Sequence, residues 1–347
     1  MKNPWVFSTV VLSLLLGTSA QDGWIRLTEW KSHMETFAEG LSVFPNGVEW
    51  NQYIANMGQM GVHNDHYPPL PLTLLSELTP LTTSLFLMLC ALGAALIAKK
   101  WLGAEMALAL PLLFVFTPYT WVPLYLLLGF AALGLSRKIE RKSSWLVLIL
   151  LWTFLAFFTY GTWMAMAVFF AILALRRSPT SLIVPALVVG IGTIILVVLI
   201  SILSGFNYWQ GLQEAIHQNS ELLKNPEYWS PFTAGLWRST GNLLAFGLIL
   251  GPLTWTRIQS YSAKNKWGLL TVFGLMAFSG LFYMETERVW ALYAPFLFML
   301  PVENEKFGKS DTMETNTIEV PSYLWILHWT YLGILIYRVD LSFGAFG

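Results

Sequence analysis

The chain has 347 residues, of which 55% are hydrophobic and 12% charged, about half the charged share of an ordinary soluble domain. Lys+Arg 20 against Asp+Glu 20 leaves no net charge, and the mean hydropathy is +0.57. These values exclude a soluble globular protein, a disordered chain and a basic nucleic-acid binder, and continuous rather than alternating apolar runs argue against an outer-membrane barrel.

An all-α, polytopic membrane protein fits instead. A spanning helix needs roughly 20 apolar residues. Candidate runs are 5–20, 80–98, 102–117, 119–136, 144–159, 161–175, 181–204, 241–256, 267–283, 289–301 and 322–337, about eleven transmembrane helices in one integral domain. The first run has two readings. Lys2, the stretch Val6–Leu16 and the small residues Thr18 and Ala20 also fit a cleavable signal peptide. Both readings put residue 21 onward outside. With the N-terminus cytoplasmic, alternation gives 14 Lys/Arg inside and 6 outside, as the positive-inside rule requires. Trp5, Trp101, Trp121, Trp145, Trp267 and Trp290 fall near span ends, the pattern of an interfacial aromatic belt. The lone Cys90 lies in an apolar run and cannot form an intrachain disulfide.

Two long segments lie outside, 21–79 and 205–240. In the first, Leu27, Trp30, Met34, Phe37, Leu41 and Phe44 recur at helical spacing, which predicts a helix lying in the interface plane. A second short helix is expected over Trp50, Tyr53, Ile54 and Met57. The loop closes with His63-Asn64-Asp65-His66-Tyr67-Pro68-Pro69-Leu70-Pro71, whose prolines predict an extended, rigid lip before the second span. Tight turns are expected at Pro118-Tyr119-Thr120 and Tyr160-Gly161-Thr162.

Asp22 in Ala20-Gln21-Asp22-Gly23-Trp24, directly after the first span, and His66-Tyr67-Pro68-Pro69-Leu70 at the end of the first outer loop carry a resemblance. The chain resembles the GT-C superfamily of integral membrane glycosyltransferases, in particular the mannosyltransferase-like members that use polyprenyl-phosphate sugars. The architecture covers most of the chain. The motif is short, and the Asp-Glu pair and the second-turn acid of the oligosaccharide-transferring branch are missing, since Thr117–Trp121 holds no acid. The resemblance implies an inverting transfer at the extracytoplasmic face, from a polyprenyl-phosphate-linked donor to a glycan, lipid or protein acceptor. It assigns Asp22 the place of the catalytic base. A carboxylate there would be ionised at neutral pH and could take a proton from the acceptor hydroxyl. The competing reading is a solvated acid after an apolar run.

Asp65, between His63 and His66, is the second candidate base. Those three residues could contribute to a metal site, contact substrate, or simply be loop polarity. His66 and Tyr67 are candidate donor contacts. Arg288, within Glu285-Thr286-Glu287-Arg288, could hold the lipid-linked phosphate through paired hydrogen bonds, with Glu287 orienting it or touching sugar hydroxyls. A snorkelling arginine paired with its neighbour explains the pattern equally well. Arg238 and Lys224 are rival phosphate ligands, and Tyr160 could line the same cavity. A monophosphate leaving group needs no metal, so no cofactor is expected. No nucleotide-cradling glycine loop, paired-cysteine signature or nucleophile elbow occurs. The expected site is a multi-pass membrane, the plasma membrane of a prokaryote or the endoplasmic reticulum of a eukaryote. Two alternatives stand: a transporter or lipid flippase, and an envelope glycan polymerase or ligase.

Overall fold

The computed structural model describes residues 40–60, 67–78, 80–102, 121–223, 254–278 and 290–301, with single positions between 240 and 251 and at 327. These are mostly helical and contain no strand, so the chain is all-α as far as it is described. The α-helices, in chain order, are α1 (Tyr53–Asn56), α2 (Leu70–Glu77), α3 (Pro80–Leu102), α4 (Val122–Ser136), α5 (Lys142–Phe158), α6 (Thr162–Arg176), α7 (Pro179–Ser204), α8 (Tyr208–Leu223) and α9 (Ala263–Phe278).

The longest, α7, shows how the local sequence sets its limits. Ser178 caps it by accepting a hydrogen bond from the Ser181 amide at 3.4 Å, and Pro179 occupies the first turn, where its missing N–H is no loss. The helix ends at Gly205, whose φ of 71° lies in the left-handed region that glycine tolerates best. A Cβ there would also stand 3.0 Å from Asn51 Cβ, so glycine lets the 45–57 segment approach this helix end. With 26 residues α7 is about 39 Å long. It is the one helix among the described residues long and apolar enough to cross a membrane by length and composition, and only 17% of its apolar stretch is buried. Ile183, Leu187, Ile191, Ile195, Ile202 and Leu203 face outward. Leu85, Leu89, Leu92 and Leu96 of α3 and Leu146, Leu150 and Phe154 of α5 form similar exposed apolar stripes. Their inner faces build a dense aromatic core, with Trp152 edge-on to Phe169 and Phe296.

The packed body has two chemically distinct ends. At one, the 137–141, 176–178 and 260–262 turns meet the segment near residue 299. Arg177 pairs with Glu140, Arg176 donates to the Met299 carbonyl at 3.3 Å, and Tyr261 donates to the Leu297 carbonyl at 2.8 Å. At the other, the α5–α6 turn, the start of α8 and the 44–53 and 67–73 segments come together around aromatic rings.

Several expectations need adjustment. The 289–301 run is two 3-10 pieces, Trp290–Leu292 and Ala294–Met299, rather than one α-helix. Pro295 lacks the N–H that an α-helix would need and clashes with the preceding turn. The extended lip ends at Pro69: Pro71 lies in the first turn of α2, where proline is compatible with a helix. Trp121 is no interfacial ring. It is fully buried, edge-on to Phe158 at 4.9 Å. Trp267, by contrast, is 69% exposed. The interfacial helix expected over 27–44 lies largely outside the described residues, apart from a helical stretch over 40–42.

Candidate functional site

The aromatic end is assembled by one tyrosine. Tyr53, on the short helix α1, is fully buried, and its hydroxyl donates to the Tyr67 carbonyl at 3.1 Å and reaches the Pro68 carbonyl at 3.5 Å. This bond fixes the proline-rich lip. Trp50 adds a second tie, its indole N–H donating to Thr73 Oγ1 of α2 at 2.9 Å, and Thr73 in turn donates to the Pro69 carbonyl. Tyr53 and Trp50 then stack edge-on against Phe206, and Trp50 also meets Phe157 at the end of α5 at 5.4 Å. The two separate stretches expected to lie outside thus meet on one platform.

A second group of hydroxyls lies beside it. The α5–α6 turn is the tight turn expected at Tyr160-Gly161-Thr162. Thr162 Oγ1 donates to the Thr159 carbonyl, and Tyr293 donates to the Gly161 carbonyl at 3.3 Å. The turn presents Tyr160 toward α8. Tyr208, the first residue of α8, accepts a hydrogen bond from the Trp163 indole at 3.0 Å and packs against the Tyr160 ring at 5.5 Å. Trp163 also stacks on Trp209. α8 is held against this cluster by Tyr208, Gly211 and Ala215, while Trp209 and Ile216 face outward. Asn207 starts it, its side-chain oxygen accepting from the Gln210 amide.

The Tyr160 hydroxyl is closed off from solvent and makes no hydrogen bond among the described residues. It rests against Gly211, where a Cβ would come within 2.5 Å of it. Burial, and then the nearby Tyr53 and Tyr208, push the Tyr160 hydroxyl well above the ordinary tyrosine range. Burial also raises Tyr208, against a smaller lowering from the Trp163 hydrogen bond. Both stay protonated at neutral pH. They are hydrogen-bond donors and cannot act as bases. Glu49 and Glu77 are exposed and Glu214, on α8, is half-buried, so the described part of this end offers stacking faces and O–H groups without a fully buried carboxylate.

Of the sequence-expected site residues, Tyr67 is described. It is buried, and its backbone carbonyl is the acceptor for Tyr53. Asp22, Asp65, His66, Arg238, Glu287 and Arg288 lie outside the described residues, as do His63 and Lys224. Among the described residues no three His, Cys, Asp or Glu side chains gather as a metal site.

No known protein family, curated protein or solved structure matches this chain.

The sequence had pointed to Tyr160 but not to Tyr53, Tyr208 or Trp163. Their signal was the density of aromatic residues flanking two turns, Tyr160-Gly161-Thr162-Trp163 and Phe206-Asn207-Tyr208-Trp209.

Proposed function

We propose that the chain is an integral membrane glycosyltransferase that moves a sugar from a polyprenyl-phosphate-linked donor to an acceptor at the extracytoplasmic face, with inversion. The observation that carries this reading is the polarity of the body. Basic turns collect at one end, a platform of aromatic rings and tyrosine hydroxyls at the other, and the sides present apolar stripes on α3, α5 and α7. A lipid-embedded enzyme working at its non-cytoplasmic end requires that distribution: apolar flanks for lipid, cations toward the cytoplasm, and a polar, ring-lined place for a sugar.

In the mechanism, Asp22 takes the proton of the acceptor hydroxyl, with Asp65 as its rival for that role. The acceptor oxygen forms a bond to the anomeric carbon as the bond from that carbon to the phosphate oxygen breaks. The electron pair leaves on the polyprenyl phosphate, whose charge Arg288 or Arg238 receives. Tyr67, His66 and Glu287 contact the donor. No metal is required, because a guanidinium suffices for a monophosphate leaving group.

The competing readings have less support. A charge-driven transporter places acids and cations facing each other in its interior, and among the described residues no charged side chain is fully buried. A glycan polymerase or ligase would rely on several arginines in a large late outer segment, and 205–240 holds one, Arg238.

The test is sugar transfer in liposomes carrying the full chain, a polyprenyl-phosphate sugar and a membrane extract as acceptor source. Transfer by the wild type and its loss in Asp22→Asn is the expected result. Full activity in both Asp22→Asn and Asp65→Asn removes the assigned base.

A further inference from the structure

We infer that the Tyr160 hydroxyl, lying beneath α8 and beside Tyr208, is a recognition group for a hydroxyl of the transferred sugar. This rests on the glycosyltransferase reading and deepens it. Leaving a buried hydroxyl without a partner is costly, and folded proteins rarely do so without a purpose. Here the orphan O–H is not an isolated core defect. It sits at the seam where the α5–α6 turn, α1 and α8 meet, with its neighbour Tyr208 accepting from Trp163 and keeping its own proton free to donate. The two hydroxyls are set among the faces of Trp163, Phe206 and Trp209.

The chemistry of that cluster selects a neutral polyol over an anion. Two uncharged O–H groups among aromatic rings satisfy a sugar hydroxyl, and ring faces pack against sugar C–H groups. A phosphate buried there would need a cation, and among the described residues none lies within this cluster. Gly211 sets the geometry: it lies directly against the hydroxyl, leaving no room for any side chain. Because the hydroxyl is closed off, access for a sugar requires α8 to shift outward; over 208–217 its buried residues, Tyr208, Gly211 and Ala215, lie on one face.

The experiment uses the full chain in lipid nanodiscs and two kinds of probe. One is bare polyprenyl phosphate. The other is the same lipid phosphate carrying mannose, glucose or galactose. Ligand-induced thermal shift is read for wild type, Tyr160→Phe and Gly211→Ala. Wild type should prefer one sugar-bearing probe over the bare lipid. Tyr160→Phe should bind that probe about tenfold more weakly, the worth of one neutral hydrogen bond, and bind the bare lipid unchanged. Without ligand it should melt at or above the wild-type temperature, because an unpartnered hydroxyl has gone. Gly211→Ala, which drives a methyl into the hydroxyl, should lose the sugar preference as well. Unchanged sugar preference in Tyr160→Phe overturns the inference and leaves the transferase reading standing. Equal weakening for both kinds of probe assigns the hydroxyl to phosphate and also overturns it. A lower melting temperature with no change in binding marks the hydroxyl as structural. If wild type binds neither kind of probe, the inference falls together with the reading beneath it.

Discussion

The sharpest test of the packing is a single methyl group. Gly129 lies mid-way along α4, where that helix crosses the 3-10 segment of 290–299. A Cβ at 129 would stand 2.5 Å from the Leu292 carbonyl oxygen and 2.9 Å from Pro295 Cγ. Neither neighbour can swing aside, since one is backbone and the other a ring fixed to it. Ordinary contact would require the two segments to separate by the better part of an ångström. Overpacking of this kind costs about 1–3 kcal/mol. Against it stands the intrinsic gain of alanine over glycine inside a helix, up to about 1 kcal/mol. The net expectation for Gly129→Ala is a loss of about 1–2 kcal/mol. Gly190→Ala in α7 supplies the control, because nothing lies within 4 Å of a Cβ there. It should be neutral or slightly stabilising. The assay is thermal unfolding of both variants in the same detergent at one heating rate, so that irreversibility affects them equally. If Gly129→Ala melts with Gly190→Ala, the close crossing of α4 and the 290–299 segment is wrong.

Tyr53→Phe removes the hydroxyl that holds the Tyr67 and Pro68 carbonyls, and should destabilise by about 1–2 kcal/mol while making residues 67–73 more open to proteolysis. Limited digestion followed by mass spectrometry reads this directly, and an unchanged cleavage pattern would count against the tie. The raised tyrosines give an alkaline limit. A tyrosine held protonated in the fold has its full stability below the unfolded pKa of about 10 and loses it as pH rises past that value. Melting temperature should therefore fall above pH 10, and fall less steeply in Tyr160→Phe. Identical alkaline slopes would place Tyr160 in contact with solvent. Glu140→Gln breaks the ion pair with Arg177, but Glu140 is 81% exposed, so the loss should stay within about 1 kcal/mol. A larger drop in melting temperature would mean that this turn organises the basic end more than its exposure implies.

The helices of the body were legible because their apolar runs are long. Residues 144–159, 161–175 and 181–204 were expected, and α5, α6 and α7 fall within two residues of each end. The limits of α7 could be seen in Ser178-Pro179 and Gly205, a start and a stop written in residue types. α8 was hidden by its composition. Gln210, Gln213, Glu214 and His217 make the stretch read as polar loop, and its packing stripe is only Tyr208, Gly211, Leu212 and Ala215. α2 was hidden by the opposite error: Pro71 looked like an obstacle to a helix, although proline in a first turn is permitted. Trp121 is ambiguous in the sequence because a tryptophan beside an apolar run fits a headgroup belt and a core equally well, and only tertiary packing against Phe158 decides. The site escaped local reading for a similar reason. The Trp163–Tyr208 bond spans 45 residues and the Tyr293–Gly161 bond 132, so no window of sequence contains either pair.

The most direct measurement of the central claim is a comparison of lipids and glycans from cells with and without the intact gene, by mass spectrometry. The account predicts that loss of the protein causes a sugar-charged polyprenyl phosphate to accumulate and one extracytoplasmic glycan or glycolipid to lack a hexose. Restoring the wild-type chain should reverse both changes, and Asp22→Asn should reverse neither. Lipid and glycan profiles that stay identical across these cells would contradict the claim that this chain transfers sugar at a membrane.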